Sequence, residues 1–242
     1  VRQDLDVGPG FGLAYAGELP VLRARVLEVP GVRHAFTTRR WPERDGAALR
    51  ALGFDPEQVV EPEQVHGGVV AAVDSLLGRP VAGADGLWTG TPGLVLRVRS
   101  ADCLPVLLVD PAAGLVAAVH AGWRGLAAGI LARAVRALRA AGARPEELRC
   151  AVGPSVGPCC YEVDSPVREA LGRWPQAFCP GRPGRWQLDL RGVAVAQLVE
   201  EGVRVEHVGV CAACTACRPE WFYSYRREGR TGRLWAVVSR EA

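Results

Sequence analysis

Residues 104–120 read LPVLLVDPAAGLVAAVH. Two apolar runs, LPVLLVD and LVAAVH, are joined by Pro-Ala-Ala-Gly, a connection short enough to predict an antiparallel hairpin. With Asp110 set near Ala113, Cys103 falls opposite His120. Directly opposed residues point to one face with Cβ atoms about 4.5–5.5 Å apart. The spacing therefore predicts a thiol and an imidazole side by side at the open end of the hairpin, within reach of one metal ion. A slip of one residue would turn one of them to the other face.

Outward from the hairpin, further short apolar runs read as strands at 21–29, 64–73, 93–100, 148–153, 203–210, 221–225 (WFYSY) and 233–239. The clearest helical period covers about 125–141, with Leu126, Ile130, Ala134, Val135 and Leu138 on one face. Two more helices are expected, one at 165–173, opened by the Asp164-Ser165-Pro166 cap signal, and one at 190–201. Strands that follow one another without intervening helices argue for mixed or antiparallel pairing. The expected fold is α+β, a mixed/antiparallel β core flanked by helices, in a single domain over residues 1–242.

Composition narrows the chemistry. A formal charge of +3 does not argue for nucleic acid. No apolar run approaches the roughly 18 residues of a membrane span, and no signal-peptide pattern opens the chain. The expectation is a cytoplasmic protein with neither a nucleic-acid nor a membrane partner, whose eight cysteines are free thiols or ligands. The chain has no Lys, Asn or Met, and all 29 basic residues are Arg. Schiff-base catalysis and a Walker-type phosphate lysine are excluded, because each needs a lysine amine. A general base must come from His, Asp, Glu, Cys or Tyr, and there are four histidines.

Alone, His120 would read as a hydrogen-bonded core histidine. It has company in His66, within EQVHGG, where two glycines allow close backbone approach. His66, Cys103 and His120 make a His₂Cys set, the kind that holds a zinc ion with one position open. Blue copper uses the same set with an axial Met, which this chain lacks, and a trinuclear copper cluster needs more than four histidines. Zn²⁺ is thus preferred over copper.

The blocks EQVHGG, ADGLWT, SADCLPVLLVD, VHAGWRG and VGPSVGPCCYEV, with the C-terminal CT…WFYSYRREGRTGR, resemble the signatures of the laccase-domain family. That family was first named multicopper polyphenol oxidoreductase. The resemblance spans roughly residues 64–235 and implies zinc on the same three residues. It also implies purine nucleoside phosphorylase activity on adenosine, inosine and S-methyl-5′-thioadenosine with phosphate, and adenosine deaminase activity beside it. Related proteins are described as peptidoglycan-editing factors, and the implied fold is similar to a bacterial toxin deamidase domain. In VHAGWRG, Gly122 and Gly125 would let the chain turn into a helix whose first N–H groups bind an anion, and Arg124 would grip phosphate. Arg124, Gly122, Gln64 and Arg39 form the expected substrate- and phosphate-binding set. After Arg39 the glycine-rich continuation usual in the family is replaced by RRWPERDG.

Three other readings stand beside this one. A copper-dependent polyphenol oxidase would use the metal set differently. A Cys–His hydrolase, acting in peptidoglycan editing, would take Cys103 as nucleophile and His120 as base, with Asp102 on the opposite face of the strand as the orienting carboxylate. GPSVG at 153–157, with Ser155, Asp189 and His207, has the order of a serine hydrolase, but its elbow must run straight into a helix and none is expected before Ser165. Finally, CAACTAC at 211–217 resembles half of a zinc or iron–sulfur knuckle without a fourth ligand at suitable spacing, and Cys159 and Cys160 read as packed thiols.

Overall fold

The computed structural model describes residues 5–42 and 46–241. In it the hairpin forms, with strand Leu104–Asp110 antiparallel to Leu115–Ala121 and every residue of both strands buried. Its register differs from expectation by two residues: Asp110 pairs with Leu115, and Pro105 rather than Cys103 lies opposite His120. The cause is local. The Asp110 carboxylate accepts the N–H groups of Ala112 (3.0 Å) and Ala113 (2.9 Å), and Gly114 closes the turn at φ 65°, so all of 111–114 is turn. A shift of two residues preserves the face. Cys103 sits just beyond the strand end, so close to Gly122 that a Cβ there would meet the Cys103 sulfur at 3.0 Å.

Around the hairpin a mixed six-stranded sheet runs in the order Val208–Val210, Arg149–Val152, Leu104–Asp110, Leu115–Ala121, Gly86–Thr89, Val70–Ala72. Its two outer pairings are parallel and the inner ones antiparallel. A second six-stranded sheet runs Phe11–Ala16, Leu19–Ala24, Val32–Thr37, Leu234–Arg240, Val95–Ser100, Val59–Val60. Strands Glu162–Val163, Trp186–Leu188 and Phe178–Pro180 make a small third sheet.

Strand alternation explains the layering. Leu107, Val109, Val116 and Ala118 of the hairpin pack on Leu22, Phe36, Leu96 and Val238 of the second sheet. Leu104, Val106, Leu108, Ala117 and Val119 face the other way, onto helices Ile130–Ala140 and Leu190–Glu200. Both faces are covered, which is why the hairpin reads as continuous apolar sequence rather than as alternation. The short helix Gly46–Ala51 covers the outer face of the second sheet through Ala48 and Leu49.

The expected α+β class holds, with corrections of detail. The helix expected at 125–141 is two helices, Trp123–Ala127 and Ile130–Ala140, because Gly129 between them is left-handed at φ 72°. The five residues of its expected apolar face are all buried. Segment 221–225 is no strand: Trp221 and Phe222 plug the core, and Ser224 caps helix Tyr225–Glu228 by accepting the Arg227 N–H. Of 64–73 only Val70–Ala72 is strand, and of 203–210 only Val208–Val210. The departure noted after Arg39 falls partly on residues 43–45, outside the described residues. Among the described residues no helix is long and apolar enough to cross a membrane.

Candidate functional site

At one end of the sandwich the two large sheets part around a cavity of about 930 Å³, a size suited to a small-molecule ligand. Arg99, Ser100 and Trp235 line it from one sheet, and Cys103 and His120 from the hairpin side. Backbone strain concentrates here. Among the described residues the non-glycine positions with positive φ are Gln64 (63°), His66 (62°) and Asp102 (89°). Such conformations persist only where their surroundings hold them, and they cluster at functional sites.

The surroundings are identifiable. The Gln64 side-chain amide pairs with the backbone of Arg99, donating to its carbonyl (2.6 Å) and accepting its N–H (2.9 Å). This ties the 61–69 loop to the second sheet. The Asp85 carboxylate then accepts the N–H groups of His66 (2.8 Å) and Gly67 (2.7 Å). Gly125 lets the loop lie close, since a Cβ there would meet the Gly67 carbonyl oxygen at 3.1 Å. Neither Gly122 nor Gly125 is left-handed; both are needed for close approach, not for the turn that the sequence suggested.

These contacts bring the expected trio together. One ligand atom each from His66, Cys103 and His120 lies within 4.8 Å of the others, and the two imidazole rings meet edge to face at 4.9 Å. His120 Nδ1 lies 3.0 Å from Asp85, so in the neutral ring the proton sits on Nδ1 and an ion displacing the Nε2 proton would meet the Nε2 lone pair. Burial alone would raise the Cys103 thiol, but hydrogen bonds and charge from His120 and His66 bring it down to about 6. Burial alone would lower His120, but Asp85 and Cys103 raise it to about 9. A thiolate and two imidazoles, one exposed and one oriented by a carboxylate, suit a zinc ion with an open position.

Asp102, expected to orient the histidine, is engaged elsewhere. Its carboxylate accepts from Thr215 Oγ1 (2.5 Å), Ser224 Oγ (3.0 Å) and the Arg226 N–H (2.6 Å). It fixes the C-terminal segment against the turn that presents Cys103. The orienting carboxylate is Asp85, within the segment ADGLWT, which sequence reading missed. Its signal was an acid flanked by Ala84 and Gly86, at the start of a strand adjoining the hairpin.

Arg124 lies at the cavity rim with its guanidinium over the Trp123 ring at 4.3 Å, and no carboxylate pairs with it among the described residues. Tyr161 and Tyr225 add aromatic faces. Burial, followed by the nearby Cys103 charge, pushes the Tyr161 phenol up to about 12, so it stays protonated at neutral pH. Arg39 is placed outside the cavity lining, donating to Glu228 (3.0 Å) and to the Pro219 carbonyl (2.5 Å). The serine-hydrolase pattern has no triad: Ser155 Oγ is fully buried and accepts from Arg191, and Asp189 caps helix Leu190–Glu200.

Fold and site together define an α+β protein with a His₂Cys set at the floor of an arginine- and aromatic-lined cavity. The family described as multi-copper polyphenol oxidoreductase laccase matches residues 43–241, and the chain belongs to that family. It is 38% identical over 204 residues to the purine nucleoside phosphorylase YlmD of Geobacillus stearothermophilus, covering 78% of this chain and 74% of the relative. It is 37% identical to a purine nucleoside phosphorylase of Deinococcus radiodurans, covering 91% of this chain and 92% of that one. The crystal structure of YlmD from Geobacillus stearothermophilus superposes with a TM-score of 0.83 at 31% identity, over 92% of this chain and 96% of that one. The Bacillus licheniformis hypothetical protein YfiH superposes with a TM-score of 0.87 at 28% identity, over 97% and 100%.

Proposed function

We propose that this chain is a purine nucleoside phosphorylase, acting on adenosine, inosine and S-methyl-5′-thioadenosine with phosphate, and that the same cavity deaminates adenosine. The observation that carries the proposal is the opening of the His66–Cys103–His120 set onto a cavity holding both aromatic faces and an arginine, Arg124, that no carboxylate pairs among the described residues. Relatives called purine nucleoside phosphorylases support it.

In phosphorolysis a phosphate oxygen bonds to C1′ as the C1′–N9 bond breaks, and the purine leaves with the bonding electrons and takes a proton. In deamination water adds at C6 and ammonia leaves. His66, Cys103 and His120 would hold zinc, which when bound supplies the Lewis acidity that makes an oxygen nucleophile available near neutral pH. Copper fits less well, because the chain has no Met for the axial position. Asp85 keeps the Nδ1 proton on His120 and so keeps Nε2 turned to the site. Arg124 is suited to bidentate contact with phosphate. Trp123, Tyr161 and Tyr225 offer faces for the purine, and Tyr161, held as a phenol, is a proton donor at the cavity wall. Gln64 and Gly122 serve by position, one pinning the His66 loop and the other making room for the thiol. Arg39, with its guanidinium over the Tyr223 ring at 4.8 Å and paired with Glu228, is assigned no contact with substrate.

A second reading takes Cys103 as a nucleophile beside His120, favoured by the lowered thiol. One experiment separates the readings. Purified protein is incubated with adenosine and phosphate, with and without a zinc chelator, and the products are resolved by chromatography. Adenine with ribose 1-phosphate supports phosphorolysis and inosine supports deamination. Unchanged adenosine sinks both, and full activity in chelator moves the chemistry to Cys103 alone.

A further inference from the structure

We propose that Cys159, Cys160, Cys214 and Cys217 form a second metal site, a closed tetrathiolate centre for one zinc ion that clamps together the loops following strands Arg149–Val152 and Val208–Val210. The proposal is independent of the chemistry of the cavity. The four sulfur atoms lie within 4.8 Å of one another, with Cys217 at 3.4 Å from Cys159 and 3.3 Å from Cys160. Zinc bonded to four thiolates at about 2.3 Å spaces them about 3.8 Å apart, so the group needs only small rotations to close on the ion. None of the four is in a disulfide. They stand too close together to surround an iron–sulfur cluster, whose several iron atoms would separate the thiolates.

The backbone is shaped for a thiolate as well. Cys214-Thr215-Ala216-Cys217 is a C-x₂-C knuckle, and the N–H groups of Gly157 (3.1 Å to the sulfur), Ala216 and Cys217 point at Cys214 Sγ. A thiolate holds such donors better than a neutral thiol does. Gly157 leaves the space: a Cβ there would press on Cys214 Cβ at 3.2 Å and Cys159 Sγ at 3.3 Å. Two arginines brace the loops that carry the four sulfurs, although the charge of Arg227 is itself paired with Glu228. Arg191 donates to the carbonyls of Ser155, Ala212 and Ala213, and Arg227 to those of Thr215 and Ala216. Of the three cysteines in CAACTAC only Cys214 and Cys217 join the group, Cys211 being buried in the core, and the other two ligands are Cys159 and Cys160, brought near by the parallel pairing of Cys150 with Val208 and the Ser155–Cys214 bridge. Such a centre is structural, closed by protein ligands. It would fix Thr215, which holds Asp102, and Tyr161, which follows Cys160.

The test uses the Cys103→Ala protein, in which the cavity set is broken, purified under reducing conditions. Elemental analysis is expected to find one zinc per chain, falling to near none when Cys217→Ser is added and persisting with Cys217→His. Zinc-stripped Cys103→Ala protein given Co²⁺ is expected to show the visible absorption of tetrahedral tetrathiolate cobalt, displaced in Cys217→His. The cobalt measurement leaves all four cysteines intact, so misfolding of a cluster variant cannot obscure it. Absence of zinc together with no cobalt–thiolate absorption in the reduced protein overturns the proposal. So does a mass two hydrogens short that maps to a disulfide within the cluster of the reduced preparation. Iron in place of zinc overturns the identity of the metal.

Discussion

Two buried carboxylates flank Cys103, and each accepts three hydrogen bonds. Asp85 takes two backbone N–H groups and an imidazole N–H, and Asp102 takes two hydroxyls and one backbone N–H. By burial and count they are near twins, yet they do different things. Asp85 reaches a histidine that itself faces the ligand site, so its charge bears on the electronics of the trio. Asp102 reaches only structural partners, so its charge goes into holding the C-terminal segment and a left-handed turn at φ 89°. What a buried acid contributes depends on whether its donors are themselves reactive groups.

The largest effect should come from the residue between them. Cys103→Ala is expected to remove one equivalent of zinc and both nucleoside activities while leaving the circular dichroism unchanged. Full zinc retention would reject the thiolate as ligand. Next, Asp85→Asn should weaken zinc binding or kcat/KM by about 10–100-fold, as loss of a carboxylate behind a ligating histidine does. A variant with unaltered metal affinity and rate would make Asp85 no different from Asp102. Arg124→Ala tests whether the phosphate end is separable from the trio. Losing a charge-assisted contact costs about 1.5–3 kcal/mol, so phosphorolysis should fall by about one to two orders of magnitude. KM for phosphate should rise and deamination should persist, whereas equal losses would move Arg124 from phosphate to the nucleoside or the scaffold. The smallest effect is expected from Asp102→Asn, which removes acceptors at the price of about 1–3 kcal/mol, a Tm drop of roughly 3–9 °C for a chain of this size. Its zinc content should stay at the wild-type level. Loss of zinc without loss of Tm would reverse the two assignments.

The trio was legible in sequence because His120 ends one hairpin strand and Cys103 directly precedes the other, where period-2 alternation keeps a face even when the register is misjudged by two. His66 was legible through the glycines beside it. Asp85 was not, since an acid between two small residues at a strand start is a weak signal and its partners come from two segments distant in sequence, the 66–67 loop and His120. The strand at Val32–Thr37 escaped because Arg33 and His34 interrupt its apolar pattern, although His34 is buried with Nε2 accepting the Ala24 N–H. WFYSY misled in the other direction, because its aromatic residues have high β propensity but serve here as core plugs between a turn and a capped helix. Arg39 illustrates a further limit: an arginine's partner is set by the fold, and here it is Glu228.

The strand Leu234–Arg240 lies in the middle of its sheet, between Val32–Thr37 and Val95–Ser100. On the ribosome those two neighbours emerge long before the strand that must join them. Until residues 234–240 are clear of the exit tunnel, each presents an unpaired edge, and the apolar face meant for the hairpin has no continuous partner. Completion of this fold is therefore a late event built on contacts of long sequence separation, which are slow to form. A nascent chain stalled before residue 234 would hold two separated half-sheets, and those exposed edges are where a chaperone would be needed.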